Sequence, residues 1–363
     1  MSEELVSKSK IGARCLTSDE ARAILPTYDK IFEQIEQFRK GKTKNVEVFK
    51  YKNEEENIQK TNNIGILGVR GAGKTSILKT IRQRLLEDTY GHKKDDIILP
   101  IVIPENLSES SSLLATVLGM LNDEVEKREN LESPNNEICI KKNTLRRKYE
   151  EVIKQYTFIQ KEYRDILIQE YTTESDYVRD SAKVFGSDTE FVKKFNELVD
   201  ELIRSKEGLM FLFIDDIDLS THRCAEVVKI LLSYLSNENI VTFISGDLET
   251  FEEALTLDFL RQENVLDKNV IKESILDSRS TDENFLQRKK QLSYEYLKKI
   301  LPPGYRHNIK HWSLEEKGRY GVIGEKKEEK VVIADLLAEA LKGWINPAFF
   351  YFIGKFSFRE LLL

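Results

Sequence analysis

The eight residues from 68 to 75, GVRGAGKT, have the types and spacing of the pattern G-x-x-x-x-G-K-[ST]. Glycines allow successive backbone N–H groups to turn toward one point and form a nest for an anion. The Lys74 ammonium would reach the β- and γ-phosphates of a nucleotide, and the Thr75 hydroxyl would ligate Mg²⁺. We therefore predict a nucleotide-binding loop that consists of Gly68, Arg70, Gly71, Ala72, Gly73, Lys74, Thr75 and Ser76.

The segments on either side of this loop are of the kind needed to position it. Residues 63–67 (NIGIL) have the pattern of a short buried strand. After the loop, apolar residues recur at helical spacing, at Ile77, Leu78, Ile81, Leu85 and Leu86. A helix that begins at the loop directs the positive end of its dipole at bound phosphates. Strand, glycine loop and helix in this order predict an α/β core.

A second acidic element would complete such a site. Residues 211–218 (FLFIDDID) are four apolar residues followed by acids, the pattern of a buried parallel strand that ends at a ligand. We predict Asp215 as the Mg²⁺ ligand, through a bound water, and Asp216 as the residue that orients the attacking water. Many ATPases have Glu at the second position, and the shorter Asp leaves the rate of hydrolysis open. Asp218 is a reserve for the same role.

The next strand also ends in polar residues. A helix is predicted over residues 224–235, and residues 240–247 (IVTFISGD) follow as a buried strand. A side chain at the end of this strand can hydrogen-bond the γ-phosphate or the attacking water. Ser245 is the first choice for this role and Asp247 the second.

Composition restricts the class of protein. The 363 residues are 40% hydrophobic and 33% charged, which indicates globular domains rich in charged helix. The net charge of −6 does not indicate nucleic-acid binding by the chain as a whole, but it does not exclude a local basic patch. Three distant cysteines (Cys15, Cys139 and Cys224) show no metal or redox spacing, and no signal peptide or membrane span is predicted. We therefore expect a cytoplasmic protein with no membrane attachment.

The order of the patterns suggests five regions. They are an adaptor (1–60), a first part of the core (61–127), a helical insertion (128–208), a second part of the core (209–303) and a helical lid with a C-terminal segment (304–363). In the adaptor we predict a helix that Ser18 caps and that runs to about Arg39, and then a strand at 46–51. A strand that contains Pro100 is predicted at residues 97–103. Because proline has no N–H to donate to a neighbouring strand, this strand should lie at an edge of the sheet. A helix over 111–127 follows it.

The insertion has heptad patterning. Apolar residues repeat at spacings of four and three at Leu145, Tyr149, Val152, Tyr156, Ile159, Tyr163 and Ile166. A second seam is at Phe191, Phe195, Leu198 and Leu202, after a capping-box signature at Ser187 and Glu190. We predict an antiparallel, coiled-coil-like hairpin that projects from the core, with its turn in residues 172–186. The alternative is two packed surface helices with no partner role.

With these motifs the chain resembles the additional-strand ATPases of the AAA+ and STAND/KAP-like P-loop superfamily. The resemblance rests on GVRGAGKT at 68–75, FLFIDDID at 211–218 and FISGD at 243–247, and it covers roughly residues 60–345. A looser similarity, on the last two of these stretches, is to bacterial antiphage ATPases such as the ATPase subunit of the RADAR defence system. KAP-like members often carry membrane helices where this chain has a charged insertion.

The resemblance implies further features. They are a parallel sheet of order 5-1-4-3-2, a short fifth strand at residues 299–303, and a lid over 304–344 with one amphipathic helix at 331–341. It also implies two arginine roles. Arg261 is placed as an arginine finger, with Arg279 and Arg288 as weaker options, and Arg306 or Arg319 would be the lid arginine.

Other signals have simpler interpretations. His307 and His311 could share a metal on a helix, but with no third ligand apparent a packed or surface role is preferred. The basic residues between Lys141 and Lys148 could touch phosphate backbones, although a solvated helix face explains them as well. The sequence lacks the N-K-x-D pattern of guanine specificity, which argues against a GTPase.

The function expected from the sequence is ATP binding with Mg²⁺, followed by hydrolysis through in-line attack of water. Nucleotide state would then drive a switch or motor in a homo-oligomer, with the helical insertion available to a protein partner and bacterial antiphage defence as one setting. A nucleotide-binding scaffold with little turnover is the second hypothesis. A kinase of small molecules or nucleic acid is the third.

Overall fold

A five-stranded parallel sheet forms the centre of the protein. The computed structural model describes residues 13–48, 62–92, 95–131, 136–160, 178, 181, 184–203, 205, 207–218, 221–262, 279–311, 321–323 and 330–332. The strands of this sheet are β1 (Asn62–Leu67), β2 (Ile97–Val102), β3 (Met210–Ile214), β4 (Ile240–Gly246) and β5 (Arg306–Asn308). Counted from the β5 edge, their order is 5-1-4-3-2. Two further strands, β6 (Gly321–Ile323) and β7 (Lys330–Val332), form an antiparallel pair.

Nine helices of the described residues surround these strands. Three belong to the N-terminal half: α1 (Ser18–Ile24), α2 (Tyr28–Val48) and α3 (Lys74–His92). The others are α4 (Leu113–Leu131), α5 (Asn136–Ile159), α6 (Ser187–Leu202), α7 (Thr221–Ser233), α8 (Leu248–Gln262) and α9 (Arg279–Ile300). None of the helices in this part of the chain is long and apolar enough to span a membrane.

The sheet has an apolar layer on each face. Successive side chains of a strand point to opposite faces, and β3 shows this directly. Met210, Leu212 and Ile214 belong to a cluster with residues of α4 to α9. Phe211 and Phe213 belong to a second cluster with residues of α1 to α3. The run of apolar residues at 210–214 is therefore explained by burial on both faces.

Strand β2 lies at an edge of the sheet, as Pro100 predicts. Its pairing with β3 shifts register between Ile98 and Ile101, the interval that contains Pro100. A proline has no N–H to donate, so the ladder is interrupted where it occurs.

The N-terminal region differs from the prediction at three points. Thr17, not Ser18, caps the first helix, and it forms a capping box with Glu20. Pro26 divides the predicted single helix into α1 and α2, because a residue before proline is kept out of helical geometry. Residues 46–48, predicted as the start of a strand, are the end of α2, and 49–51 lie outside the described residues.

The described part of the insertion packs on the core instead of projecting from it. Leu145 and Val152 of α5 share one apolar cluster with α6 and with the sheet. The Tyr149 hydroxyl donates to the Leu118 carbonyl of α4 at 3.2 Å, and the Tyr156 and Ser112 hydroxyls lie 2.9 Å apart. The ion pairs of Lys148 with Glu201 and of Lys194 with Glu151 show that α5 and α6 run antiparallel, as the hairpin prediction requires. In the described residues both helices pack on the core, because seam residues that form a coiled coil also suit a protein core.

The start of helix α6 also differs from the prediction. Helix α6 begins at Ser187, but its N-cap is Gly186 at φ +74°, with no capping hydrogen bond from a side chain. The capping box predicted at Ser187 and Glu190 is therefore wrong. Tyr163 and Ile166, and most of the predicted turn, lie outside the described residues.

The C-terminal half of the core also differs from the prediction. Residues 299–300, predicted as strand, end helix α9, and the strand at the β5 position is Arg306–Asn308. The consecutive prolines at 302 and 303 explain the shift, since neither can donate to a ladder. Residues 331–332 are in β7, not in a helix, and 333–344 lie outside the described residues.

His307 fastens β5 to the N-terminal helices. The Gln34 amide donates to the Gly304 carbonyl at 2.8 Å, so its oxygen faces His307 Nε2, 2.9 Å away. Nε2 must then carry the proton, and Nδ1 accepts from the Thr27 hydroxyl at 2.9 Å. This buried, neutral ring occupies both of its nitrogens without a metal, so the packed interpretation of His307 is correct. Burial, and then the charge of Lys30, lowers its pKa from 6.5 to about 4.

We predict that this histidine makes folding stability depend on pH. Because the folded-state pKa is depressed, its contribution is complete above the unfolded value of 6.5 and is lost as pH falls toward about 4. In His307→Asn, the free energy of unfolding from urea titrations should vary less between pH 6.5 and 4 than in the wild type. His311→Asn, which changes an exposed ring, should keep the wild-type slope. Equal slopes in all three proteins would contradict the prediction.

Candidate functional site

The glycine loop, residues 68–75, joins the carboxyl end of β1 to the first residues of α3. Gly71 and Gly73 have φ of +80° and +104°, values that side chains other than glycine rarely adopt. The Gly68 N–H donates to the Gly246 carbonyl of β4 at 3.1 Å. The loop therefore has the positive-φ backbone from which anion nests are made, and it is tied to the neighbouring strand.

Lys74 lies over its own loop. The residue is only 5% exposed, and its ammonium donates to the carbonyls of Gly68 at 2.8 Å and Val69 at 3.2 Å. An ammonium has three donors, of which these carbonyls accept two. A phosphate at this loop would attract the same ammonium, because charge-assisted hydrogen bonds are the stronger ones.

Asp215 is the residue best suited to a cation. It follows β3, is 0% exposed, and its N–H donates to the Val102 carbonyl at 2.8 Å. Its Oδ1 accepts the Ser245 hydroxyl proton, whereas its buried Oδ2 has no hydrogen-bond partner among the described residues. A buried carboxylate oxygen without a partner is costly unless a cation or donor completes it, so the residue fits the expected Mg²⁺.

Asp216 adopts a left-handed backbone conformation next to that carboxylate. Its φ is +51°, uncommon for a residue other than glycine, and its N–H donates to Ser245 Oγ at 3.1 Å. Burial raises the pKa of its carboxyl group, and the charge of Asp215 raises it further. The charges of Lys74 and Arg70 lower this pKa. The two loop cations are therefore close enough to the Asp216 carboxyl group to interact with it electrostatically.

The tip of β4 connects these parts. The Ser245 side chain contacts both Asp215 and Asp216, and its carbonyl accepts the Ile217 N–H at 3.2 Å. The Asp247 N–H donates to Asp218 Oδ2 at 2.9 Å, and its own Oδ1 accepts the Glu249 N–H at 3.0 Å at the start of α8. The carboxylates of Asp218 and Asp247 thus accept backbone N–H groups at the end of β4 and the start of α8. Their contacts with phosphate or water stay predictions.

Where their side chains are described, the predicted finger and lid arginines make no hydrogen bond or ion pair with residues 68–75 or 215–218. Arg261 is exposed in the last turn of α8, and Arg288 is exposed on α9, whose first residue is Arg279. Arg306 lies in β5 and its Nε donates to the Leu301 carbonyl at 2.8 Å, so it supports the chain instead of belonging to a lid. Arg319 lies outside the described residues.

The basic residues predicted as a phosphate contact are matched by acids where their side chains are described. Arg146 pairs with Glu129 at 2.6 Å, and Lys148 pairs with Glu201 at 2.7 Å. These pairs support the interpretation of a solvated helix face.

Residues before β1 and after β5 also border the loop, which sequence reasoning missed. The Ile309 N–H donates to the Leu67 carbonyl at 2.8 Å, and the Lys310 N–H donates to the Ile24 carbonyl at 2.9 Å. Farther along α3, Lys79 donates to the Ala13 carbonyl and Thr80 accepts the Leu16 N–H, both at 2.9 Å. No local pattern signals these contacts, because they join segments far apart in the chain.

Metal binding at this site would need ligands beyond the protein. Within the described ranges, no three His, Cys, Asp or Glu side chains cluster as a metal site. Mg²⁺ commonly takes one or two protein ligands together with phosphates and water, so Thr75 and Asp215 are an adequate protein contribution.

No protein-family model matches the sequence, and no curated protein shows significant similarity to it.

We predict that removing the Asp216 charge stabilises the metal-free protein. Because the folded-state pKa is raised above 3.8, the protonated form favours folding, and this contribution is lost as pH rises through the raised value. Asn tolerates positive φ and keeps the N–H, so Asp216→Asn should raise the melting temperature at pH 7.5 in EDTA. The gain should shrink as pH falls through the raised value and should be lost below 3.8.

Asp29→Asn provides a control of opposite sign. The hydrogen bond from Arg22 lowers the pKa of Asp29, so removal of this charge should bring no stabilisation at pH 7.5. A melting temperature for Asp216→Asn below that of the wild type at pH 7.5 would refute the prediction.

Proposed function

We propose that this chain binds ATP together with Mg²⁺ and hydrolyses it, as a P-loop ATPase of the additional-strand type. The observation that carries the proposal is the position of the glycine loop and Asp215. Both follow strands of one parallel sheet, at the carboxyl ends where open α/β sheets bind ligands, and β4 bonds to both. The strand order 5-1-4-3-2 supports the same superfamily.

Each residue has a role that its surroundings support. The backbone N–H groups of residues 71–76 would hold phosphate oxygens, and Lys74 would exchange the Gly68 and Val69 carbonyls for them. Thr75 and Asp215 would hold Mg²⁺, which when bound neutralises charge that develops on the phosphates. Asp216, with its raised pKa, would orient the attacking water and accept its proton.

The proposed consequence of turnover is a change of state in an assembly. The helices α4, α5 and α6 pack on one face of the sheet, so movement at the ends of β2 and β3 would reach them directly. A switch or motor in a homo-oligomer, with antiphage defence as one setting, is the function we propose from the motifs at 68–75, 211–218 and 243–247.

We predict that Lys74→Ala lowers the affinity for Mg·ATP by about 10- to 100-fold, because charged hydrogen bonds to phosphate contribute about 1.5–3 kcal/mol. Turnover should fall to background. Isothermal titration calorimetry and a steady-state phosphate-release assay measure the two effects. Lys127→Ala removes an exposed lysine of α4 that pairs with Glu124, and it should change neither. Unchanged ATP binding and turnover in Lys74→Ala would refute the proposal.

A nucleotide-binding scaffold with little turnover is the second candidate. The observation that favours it is Asp216, which is shorter than the Glu of many ATPases and lies in a left-handed turn. Turnover measured with and without DNA or RNA separates the two functions. Clear hydrolysis, basal or stimulated, excludes the scaffold, whereas tight binding with no turnover excludes the ATPase.

If Arg261 acts on the site of a neighbouring copy, two inactive variants should restore each other. Lys74→Ala provides a normal Arg261, and Arg261→Ala provides a normal glycine loop, so a mixed assembly contains some complete sites. We predict turnover in the mixture above the sum of the separate variants, with native mass spectrometry confirming mixed oligomers in ATP. Arg288→Ala, which changes another exposed arginine, should retain wild-type activity alone. An active Arg261→Ala variant, or a mixture without recovery, would remove this role.

A further inference from the structure

We infer that Ser245 is a positioning residue that fixes Asp215 and Asp216 together, and not a contact for the γ-phosphate. This inference rests on the proposed function and identifies the residue that fixes the geometry of that site. Its basis is the place of β4, which lies between β1 and β3 and pairs with both. The tip of β4 is therefore the strand end that borders the glycine loop on one side and the aspartates on the other.

The Ser245 hydroxyl bonds to both aspartates, and its single proton is already used. Its Oγ donates to Asp215 Oδ1 and accepts the Asp216 N–H at 3.1 Å. A serine hydroxyl has one proton, and here that proton goes to Asp215. A donor to γ-phosphate would have to release the carboxylate, and the residue is 0% exposed.

The contacts explain why the site needs a hydroxyl at this point. Donation to Oδ1 directs the Asp215 carboxylate so that its second oxygen, Oδ2, is left without a hydrogen-bond partner among the described residues. Acceptance of the Asp216 N–H supports the left-handed backbone at that residue. The Ser245 carbonyl adds a bond from the Ile217 N–H at 3.2 Å. One residue therefore holds three consecutive positions of residues 215–218, which follow β3 and form the acidic turn. Neighbours that orient a metal ligand in this way typically contribute about 10- to 100-fold in metal affinity.

Nucleotide titrations distinguish a positioning residue from a phosphate sensor. For Ser245→Ala we expect the affinities for Mg·ATP and Mg·ADP to fall by the same factor, about 10- to 100-fold, with ATP binding in EDTA unchanged. A sensor of γ-phosphate would weaken Mg·ATP alone, and that result would overturn the inference. Ser245→Cys fills the position with a slightly larger, weakly bonding thiol, so it should show the same loss even where the smaller alanine impairs folding.

A second readout needs no nucleotide. Hydrogen exchange of the Asp216 amide, followed by NMR in EDTA, should accelerate at least tenfold in Ser245→Ala relative to amides of α5. The control is Thr242→Val on the same strand, since the buried Thr242 hydroxyl has no hydrogen-bond partner among the described residues. This variant should leave both the Asp216 amide and nucleotide affinity unchanged.

The outcomes separate the two claims. A wild-type protein that binds no nucleotide refutes the proposed function, and the positioning role fails with it. Wild-type nucleotide binding combined with unchanged Asp216 exchange in Ser245→Ala overturns the positioning role alone. Equal loss for the two magnesium nucleotides, together with faster exchange, supports it.

Discussion

The parallel pairing of β4 with both β1 and β3 is the constraint on which the site depends. Register places Leu67 beside Gly246 and Ile214 beside Ile244, so the glycine loop and the acidic turn leave the same end of the sheet two residues apart along β4. Because β4 lies between β1 and β3, the glycine loop and the acidic turn are each positioned by contacts with β4. The Gly246 carbonyl accepts from Gly68 on one side, and Ser245 bonds to two aspartates on the other. The site is thus arranged by a strand that contributes little chemistry of its own.

The parts that sequence predicts well are those with local physical causes. Strands β1, β3 and β4 are apolar runs because both faces of the sheet are covered, and a run of that kind is visible in the sequence. The loop glycines are identifiable because positive φ at Gly71 and Gly73 requires that residue type. Pro100 indicates an edge because its missing N–H excludes a central position. The strand order came from the resemblance, not from the residues.

The parts that sequence does not give depend on contacts between distant segments. Heptad spacing in α5 and α6 is equally compatible with a free coiled coil and with packing on α4, and only tertiary contacts decide. The end of strand four predicted a polar residue beside the nucleotide, but not that the Ser245 proton is committed to Asp215. The approach of Ile24 to Lys310 next to the loop has no local signature either. Pro26, Pro302 and Pro303 do carry a local signal, since each marks an element boundary that a predicted helix or strand crosses.

The two edges of the sheet have a consequence for how copies of this chain can associate. One edge is β2, whose proline breaks the ladder, and the other is β5, which is three residues long. Short or interrupted edge strands are poor templates for another strand, and natural proteins use both devices against uncontrolled aggregation. Among the described residues, neither edge is therefore suited to joining copies of this chain by extension of the sheet.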